Sequence, residues 1–257
     1  MSSAIELHAV SKIFVRDDVA VEVLDRVSLT IAAGSFVALL GRSGCGKSTL
    51  LNIVAGLTAP TTGTITFAGD PASYPRSDVG YMTQKDTLMP WLDVSHNVAL
   101  PLTVRGVSRD VSLARTRELV ALVDLERAAS RYPRELSGGM LRRASLARML
   151  ASDPDIWLLD EPFGALDAQL RAELQHELLR LWEDSGKTVV FVTHDIDEAL
   201  FMADRIIALR AGGEIALDLP IDAARPRSAH MVRVDPAFIA HHERLHDAIG
   251  AGANVLV

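Results

Sequence analysis

A glycine-rich run that ends in lysine and serine is the segment of this sequence best suited to bind phosphate groups. Residues 41–48 read Gly-Arg-Ser-Gly-Cys-Gly-Lys-Ser and fit the spacing G-x-x-x-x-G-K-[ST]. The glycines let successive backbone N–H groups turn toward phosphate oxygens. We expect Lys47 to reach the β- and γ-phosphates of a nucleotide and Ser48 to ligate Mg²⁺. The residues expected to line this loop are Gly41, Arg42, Ser43, Gly44, Cys45, Gly46, Lys47, Ser48 and Thr49.

The segments on either side of this run are those that a phosphate-binding loop requires. Residues 35–40 form a continuous apolar stretch, as in a strand that is buried on both faces. After the run, apolar residues recur with helical spacing at Leu50, Leu51, Val54 and Leu57. The N-terminus of such a helix adds partial positive charge beside the loop. The alternative, a glycine-rich turn with a chance lysine, is disfavoured by this strand–loop–helix order.

Two adjacent acids, Asp160 and Glu161, follow a second apolar run at 156–159. A carboxylate at the carboxyl end of a buried parallel strand lies at the edge of the sheet where ligands bind. We expect Asp160 to hold the Mg²⁺ shell and Glu161 to act as general base on the attacking water. Because acids commonly end strands, the pair is informative only in a chain that also carries a phosphate loop.

Short strand-like and helical segments alternate through much of the chain. In the N-terminal part, the candidate strands are residues 4–10, 21–31 and 62–68. Residues 188–192 and 205–209 are further candidate strands, and both are apolar enough to be buried. This alternation predicts an α/β domain.

The middle of the chain, from about 89 to 152, has helical periodicity and few strand signals. One amphipathic stripe consists of Leu113, Leu119, Leu122 and Val123. We interpret this segment as a helical insertion. From about residue 218 the sequence loses clear periodicity, and we expect a weakly determined tail. His242 and His246 in this tail have a metal-binding helical spacing, but no third ligand is evident and a solvated helix face is favoured.

Composition excludes several classes of function. Lys and Arg number 26 against 33 Asp and Glu, which gives a formal net charge of −7 and argues against a broad nucleic-acid face. Aromatic residues make up only 5%, too few for a base-stacking platform. A single cysteine excludes an intrachain disulfide framework and a cysteine-rich zinc site. With no signal peptide and no apolar span, we expect a cytosolic protein whose membrane role, if any, depends on a partner.

The sequence Leu-Ser-Gly-Gly-Met at 136–140 narrows the class of phosphate-binding protein. It precedes a predicted helix and lies between the phosphate loop and the acidic pair. With both of those motifs, it resembles the signature of ATP-binding cassette (ABC) ATPases. The resemblance covers roughly residues 5–217, which is most of the chain.

Four other residues fall where that family would place them. Gln84 resembles the Q-loop glutamine, and residues 165–167 (Ala-Leu-Asp) resemble the D-loop. His194 resembles the switch histidine, and Phe14 the aromatic residue that stacks on adenine. Taken singly, each has an ordinary alternative: an exposed glutamine, a helix cap at Asp167, a satisfied buried histidine, and core packing of Phe14.

The resemblance implies a fold and a division of the chain. The expected fold is the α/β, P-loop NTPase fold of ABC ATPases, with a mixed sheet core, an N-terminal antiparallel β-subdomain and an inserted helical subdomain. Residues 1–88 and 153–217 would form the core with its antiparallel subdomain. Residues 89–152 would form the helical subdomain, and 218–257 the tail.

The resemblance also implies the ligands and their binding residues. ATP and Mg²⁺ are the expected cofactors, with Ser48, Gln84 and Asp160 toward the metal. Hydrolysis would depend on Lys47, Gln84, Glu161 and His194. Two copies would join head to tail, so that Ser137, Gly138, Gly139 and Asp167 of one copy close over the ATP held by the other.

Within the family, the chain looks like the importers of nitrate, sulfonate and taurine. Residues 89–101, which follow Gln84, resemble the segment that meets a helix of the membrane subunit. Trp91 would anchor that contact or, alternatively, pack internally. The implied partners are a second copy, permease subunits at the cytoplasmic face of the cell membrane and, indirectly, an extracytoplasmic solute-binding protein; no nucleic-acid partner is expected.

Two residues depart from the usual family pattern. Met140 replaces the glutamine common at the end of the signature, as in these importers and in some lipid-trafficking relatives. Cys45 is at a variable position of the loop, and the favoured interpretation is that its small side chain only fills space there. The rival readings are a lipid-trafficking ATPase, a non-transport ABC protein, and a P-loop kinase or GTPase, the last of which explains neither the signature nor His194.

Overall fold

The computed structural model describes residues 5–74, 76–85, 87–164 and 166–250. The described chain forms two compact units. The first unit comprises the described parts of Met1–Arg76 and Gly186–Val257, and the second unit comprises those of Ser77–Ser185. The segment 89–152, expected to form a helical subdomain, lies within the second unit, and its boundaries as a subdomain stay a prediction.

The two units contain strands and helices that we number in chain order. The strands are β1 (Ile5–Arg16), β2 (Val19–Ile31), β3 (Phe36–Gly41), β4 (Thr62–Phe67), β5 (Asp70–Pro71), β6 (Val79–Met82), β7 (Ile156–Asp160), β8 (Thr188–Thr193), β9 (Arg205–Leu209) and β10 (Ile215–Pro220). The helices are α1 (Lys47–Val54), α2 (Val94–Val104), α3 (Arg109–Leu122), α4 (Gly138–Ala151), α5 (Ala168–Ser185), α6 (Ile196–Met202), α7 (Ala229–Val234) and α8 (Pro236–Gly250).

The first unit contains an antiparallel sheet in the order β2-β1-β4-β5. Strands β1 and β2 form a long hairpin, and Asp17 and Asp18 at its turn have φ of 50° and 61°. Two positive φ values match the twist of the strands that such a turn joins. Strand β1 extends six residues beyond the predicted end at residue 10. The prediction stopped short because Ile13, Phe14 and Val15 are consecutive apolar residues, all exposed, and show no alternation between a buried and an exposed face.

A second group of strands in the first unit carries the phosphate loop. Strand β3 pairs in parallel with β8 on one side and with β9 on the other, and β10 pairs antiparallel with β9. Every residue of β3 and β8 is buried. Helix α1 ends at Val54, so the prediction that Leu57 continues its apolar stripe is wrong; Leu57 is 65% exposed. Gly56, with φ of 74°, turns the chain away before Leu57 is reached.

The second unit contains the parallel pair β6–β7 and helices α2, α3, α4 and α5. In α3 the predicted stripe is only partly correct. Leu119 is buried, but Leu113 is 46% exposed. Ser112 and Thr116 lie on the buried face of α3 instead. Small hydroxyl residues on a buried helix face give no apolar signal, which explains the error.

The C-terminal segment is more ordered than the sequence predicts. Its described part contains the end of β10 and helices α7 and α8, and α8 packs on α6 and β9. Phe238 and Leu245 of α8 are buried. The buried Arg227 side chain donates hydrogen bonds to the carbonyls of Leu200, Ala203 and Ile221. The expectation of a weakly determined tail is therefore wrong, because buried side chains such as Ile221, Val232 and Phe238 anchor the segment to the rest of the first unit.

Among the residues described by the structure, no helix is both long and apolar enough to cross a membrane.

Candidate functional site

The loop between β3 and α1 adopts a conformation that depends on glycine. Gly44 and Gly46 have φ of 84° and 104°, in the left-handed region. A Cβ on Gly46 would lie 2.6 Å from Cδ2 of Leu24 and 2.9 Å from the carbonyl oxygen of Val23. Gly46 is also the N-cap residue of α1, so the amides at this helix start are available to an anion.

Close packing under the same loop involves Gly41 and Cys45. A Cβ on Gly41 would lie 2.5 Å from the carbonyl oxygen of Leu209 and 2.7 Å from Sγ of Cys45. Cys45 is 4% exposed. Its side chain therefore fills the space beneath the loop, as a small residue does.

Lys47 extends from the first turn of α1 back into the loop. Its Nζ donates hydrogen bonds to the carbonyl oxygens of Gly41, at 2.7 Å, and Arg42, at 2.9 Å. The residue is only 5% exposed. An ammonium so far removed from water is costly unless it is paired, and these carbonyls carry only partial charge. A phosphate group at the loop would supply the full countercharge.

Two further predicted site residues belong to the first unit. Leu40 of β3 pairs with Thr193 of the parallel strand β8, so Gly41, which ends β3, and His194, which follows β8, lie at the same carboxyl edge. His194 is exposed there. Phe14 is 44% exposed, and Nζ of Lys12 lies 5.0 Å from the centroid of its ring. Core packing, the alternative for Phe14, does not occur.

In the second unit, β7 places the acidic pair at its end. All five residues of β7 are buried, and Asp160 is 2% exposed. Glu161, the next residue, has φ of 48°. A left-handed conformation is uncommon at a non-glycine residue. This turn takes Glu161 out of the buried strand.

Gln84 lies at the same edge as the acids. Met82 pairs with Leu159 in the parallel pair β6–β7, so the residues after β6 lie beside those that end β7. Gln84 is exposed. The structure thus brings Gln84 close in register to Asp160 and Glu161, as a site at this edge requires.

Sequence reasoning missed two residues near Asp160. Burial and the Asp160 carboxylate together raise the pKa of Tyr81 far above its usual value, with the Arg142 guanidinium acting against them. Arg142 is 4% exposed and donates hydrogen bonds to the carbonyls of Thr83, Gln84, Asp160 and Glu161. Both residues are common types outside any recognised motif, so the sequence offered no signal for them.

The signature segment begins helix α4. Ser137 is the N-cap residue, and its Oγ accepts a hydrogen bond from the Met140 amide at 3.3 Å. Ser137 and Gly138 are exposed. This helix start is therefore a second accessible group of anion-binding amides, with Gly139 in its first turn.

Asp167 caps helix α5, as the sequence allowed. Its Oδ1 accepts a hydrogen bond from the Leu170 amide at 3.0 Å. The residue is exposed and can make further contacts. Ala165, in the same predicted D-loop, lies outside the described residues.

Two features together define a P-loop NTPase. One is the glycine-dependent phosphate loop between a buried parallel strand and a helix, and the other is a second buried strand that ends in acids. The family model described as ABC transporter matches residues 24–164. The taurine import ATP-binding protein of Sinorhizobium fredii is 44% identical over 91% of this chain and 88% of that protein. An uncharacterized ABC transporter ATP-binding protein of Methanocaldococcus jannaschii is 42% identical over 95% of this chain and 91% of that protein.

Solved structures agree with these sequence matches. A dimeric ATP-binding cassette in a post-hydrolysis state, bound to ADP and Pi, has a TM-score of 0.79 and 35% identity. The match covers 86% of this chain and all of that one. A second dimeric structure of a bacterial ABC transporter cassette gives a TM-score of 0.80. The chain belongs to the ABC transporter family, and it is an ATP-binding ATPase of that family.

Proposed function

We propose that the chain is the ATP-hydrolysing subunit of an importer for a small anion, with taurine, another sulfonate or nitrate as the solute class. The importer assignment rests on the similarity to taurine import ATP-binding proteins at 42–44% identity over most of the chain. The placement of Lys47 inside a glycine-dependent loop is the structural observation that supports ATP as the energy source.

The phosphate loop, from Gly41 to Thr49, holds the triphosphate in this proposal. Its amides and Lys47 neutralise the β- and γ-phosphates, and Phe14, exposed on β1, stacks on the adenine. The hydroxyl of Ser48, the amide oxygen of Gln84 and the carboxylate of Asp160 are hard oxygen donors of the kind that Mg²⁺ prefers. When bound, Mg²⁺ would neutralise charge on the phosphates.

Hydrolysis is assigned to Glu161, which is half-buried, and to the exposed His194. Glu161 accepts a proton from the attacking water, and His194 donates a hydrogen bond to the γ-phosphate. The sharp turn at Glu161 supports this assignment, because it takes the carboxylate out of the buried strand.

The catalytically competent form in this proposal is a head-to-tail dimer. Ser137, Gly138 and Gly139 at the start of α4 cover the ATP of the other copy, and Asp167 contacts that copy. The exposure of this helix start and the dimeric state of the structural neighbours support the proposal. Because the γ-phosphate contacts both copies, ATP favours the closed dimer and hydrolysis releases it.

A membrane permease is the partner that converts this motion into transport. Trp91 follows the Gln84 segment and is 70% exposed, which suits an aromatic anchor for a permease helix and not a core residue. The chain would then lie at the cytoplasmic face of the cell membrane, and an extracytoplasmic binding protein would deliver the solute to the permease.

Reconstitution tests this function directly. The chain is combined in proteoliposomes with the permease and the binding protein that this proposal requires, and uptake of radiolabelled taurine and nitrate is measured with ATP present. ATP-dependent uptake of either anion supports the proposal. Uptake of neither, with ATP-driven transport of a lipid or a cation by the same vesicles, overturns the importer assignment.

A further inference from the structure

Arg142 is a buried cation that belongs to none of the sequence motifs. It lies in the second turn of α4, the helix that begins with Ser137 as its cap. Its exposure is 4%. A buried guanidinium is destabilising unless its donors are satisfied, so the partners of Arg142 indicate what it holds in place.

The two ends of the guanidinium bind two different segments. Nη1 donates to the carbonyl oxygen of Thr83 at 2.6 Å and to that of Gln84 at 3.0 Å. Nη2 donates to the carbonyl oxygen of Asp160 and, at 2.6 Å, to that of Glu161. One side chain of α4 therefore fixes both backbone segments that carry the proposed metal and water ligands of the second unit.

The contact with Glu161 matters most for chemistry. Glu161 has φ of 48°, a conformation that persists only where its surroundings impose it. The bond from Arg142 to the Glu161 carbonyl is one such restraint, and it acts on the residue whose carboxylate must meet the attacking water. The planar guanidinium donates hydrogen bonds from two ends and can therefore bind both pairs of carbonyls. A lysine ammonium cannot bind both pairs with the same geometry.

We propose that Arg142 is a positioning residue for ATP hydrolysis, which sets the direction of the Glu161 carboxylate and ties the Gln84 segment and Glu161 to helix α4. The inference rests on the proposed role of Glu161 as general base. Through Arg142, a displacement of α4 on closure of the dimer reaches both segments together.

The test is ATPase kinetics of the full-length Arg142→Lys variant, with Arg143→Lys as matched control. Arg143 is the next residue of α4 and also binds two carbonyls, those of Val123 and Asp124, at 2.9 Å each. Arg142→Lys keeps the positive charge and removes the two-ended guanidinium donor. We expect its kcat to fall about 100-fold, as a misdirected base does, with KM for ATP within about twofold of the wild type. Arg143→Lys should change kcat by less than about twofold.

Equal losses of kcat in the two variants, or a raised KM with normal kcat in Arg142→Lys, would overturn the proposal in favour of a purely structural arginine. Arg142→Gln, which can still donate to one pair of carbonyls, provides a second variant if Arg142→Lys does not fold. It should likewise lose kcat and retain KM; retained kcat in Arg142→Gln also overturns the proposal. Glu161→Gln in the same assay separates the role of Glu161 as general base from the role of Arg142 as positioning residue. If Glu161→Gln retains turnover, the assignment of Glu161 as base fails. If Glu161→Gln loses turnover while Arg142→Lys does not, only the positioning role of Arg142 fails.

Discussion

Individual residues decide what the phosphate loop can do. Gly46 accepts a φ of 104° and a neighbour within 3 Å of where a Cβ would lie, so no other residue fits there without displacing the loop. Lys47 is held inside by two carbonyls and is poised for an anion. These constraints could be predicted from the spacing of the motif, because the motif encodes backbone conformation directly.

Modification of Cys45 provides one test at this scale. Cys45 is the single cysteine of the chain, it is buried beneath the loop, and its Sγ lies 3.7 Å from Nζ of Lys47. We expect a bulky maleimide to react slowly, to abolish ATP binding once attached, and to be excluded by ATP. Mass spectrometry of the label and fluorescence titration with an ATP analogue measure both effects. Unchanged ATP affinity in fully labelled protein would contradict the placement of Cys45.

Tyr81 provides a test through pH. Because burial and the Asp160 carboxylate raise its pKa, folding keeps the phenol protonated where the unfolded chain would ionise it. The resulting stabilisation is complete below about pH 10, the usual pKa of tyrosine, and is lost as pH rises beyond it. Tyr81→Phe should therefore flatten the decline of unfolding free energy above about pH 10. Urea titrations measure this free energy at each pH. If it declines equally in the wild type and in Tyr81→Phe, protonated Tyr81 does not contribute to stability as described.

At the scale of elements, the strands that carry the site were predictable and the helices around them were less so. Strands β3, β7 and β8 are continuous apolar runs, so the sequence predicted each within a residue or so. Helix α3 buries Ser112 and Thr116, so part of its buried face carries no apolar signal. Such helices are defined by tertiary contacts that the local pattern does not contain.

Helix α8 tests whether the C-terminal segment is an integral part of the fold. Phe238 is 2% exposed, and its replacement by alanine should lower the free energy of unfolding by about 3–5 kcal/mol. Ile239, the next residue, is 43% exposed, and Ile239→Ala should change the free energy of unfolding by less than about 0.5 kcal/mol. Urea denaturation followed by circular dichroism measures both. Similar small changes in the two variants would show that α8 does not pack as described.

At the scale of the whole molecule, two helix starts that we propose to bind ATP phosphates belong to separate units: that of α1 at Lys47 and that of α4 at Ser137. Their proposed shared role comes from the resemblance in the sequence, and the dimeric state of the structural neighbours supports it. Neither composition nor periodicity could reveal it, because a contact between copies leaves no periodic pattern in one chain. Arg142 was equally hidden, since the carbonyls of Thr83, Gln84, Asp160 and Glu161 that it binds are backbone atoms that any sequence provides.

The central claim is that ATP holds two copies of the chain in a closed dimer. The mass in solution of the Glu161→Gln variant with ATP bound tests this claim most directly. With Glu161 in its proposed role as general base, this substitution should slow hydrolysis by about 10²–10⁴-fold and leave ATP binding intact, so that the closed dimer accumulates. Analytical ultracentrifugation should then show a dimer with two ATP molecules, and a monomer when Ser137 is also changed to a bulky residue such as phenylalanine. A variant that binds ATP yet remains monomeric, or that hydrolyses it at the wild-type rate, would contradict the account.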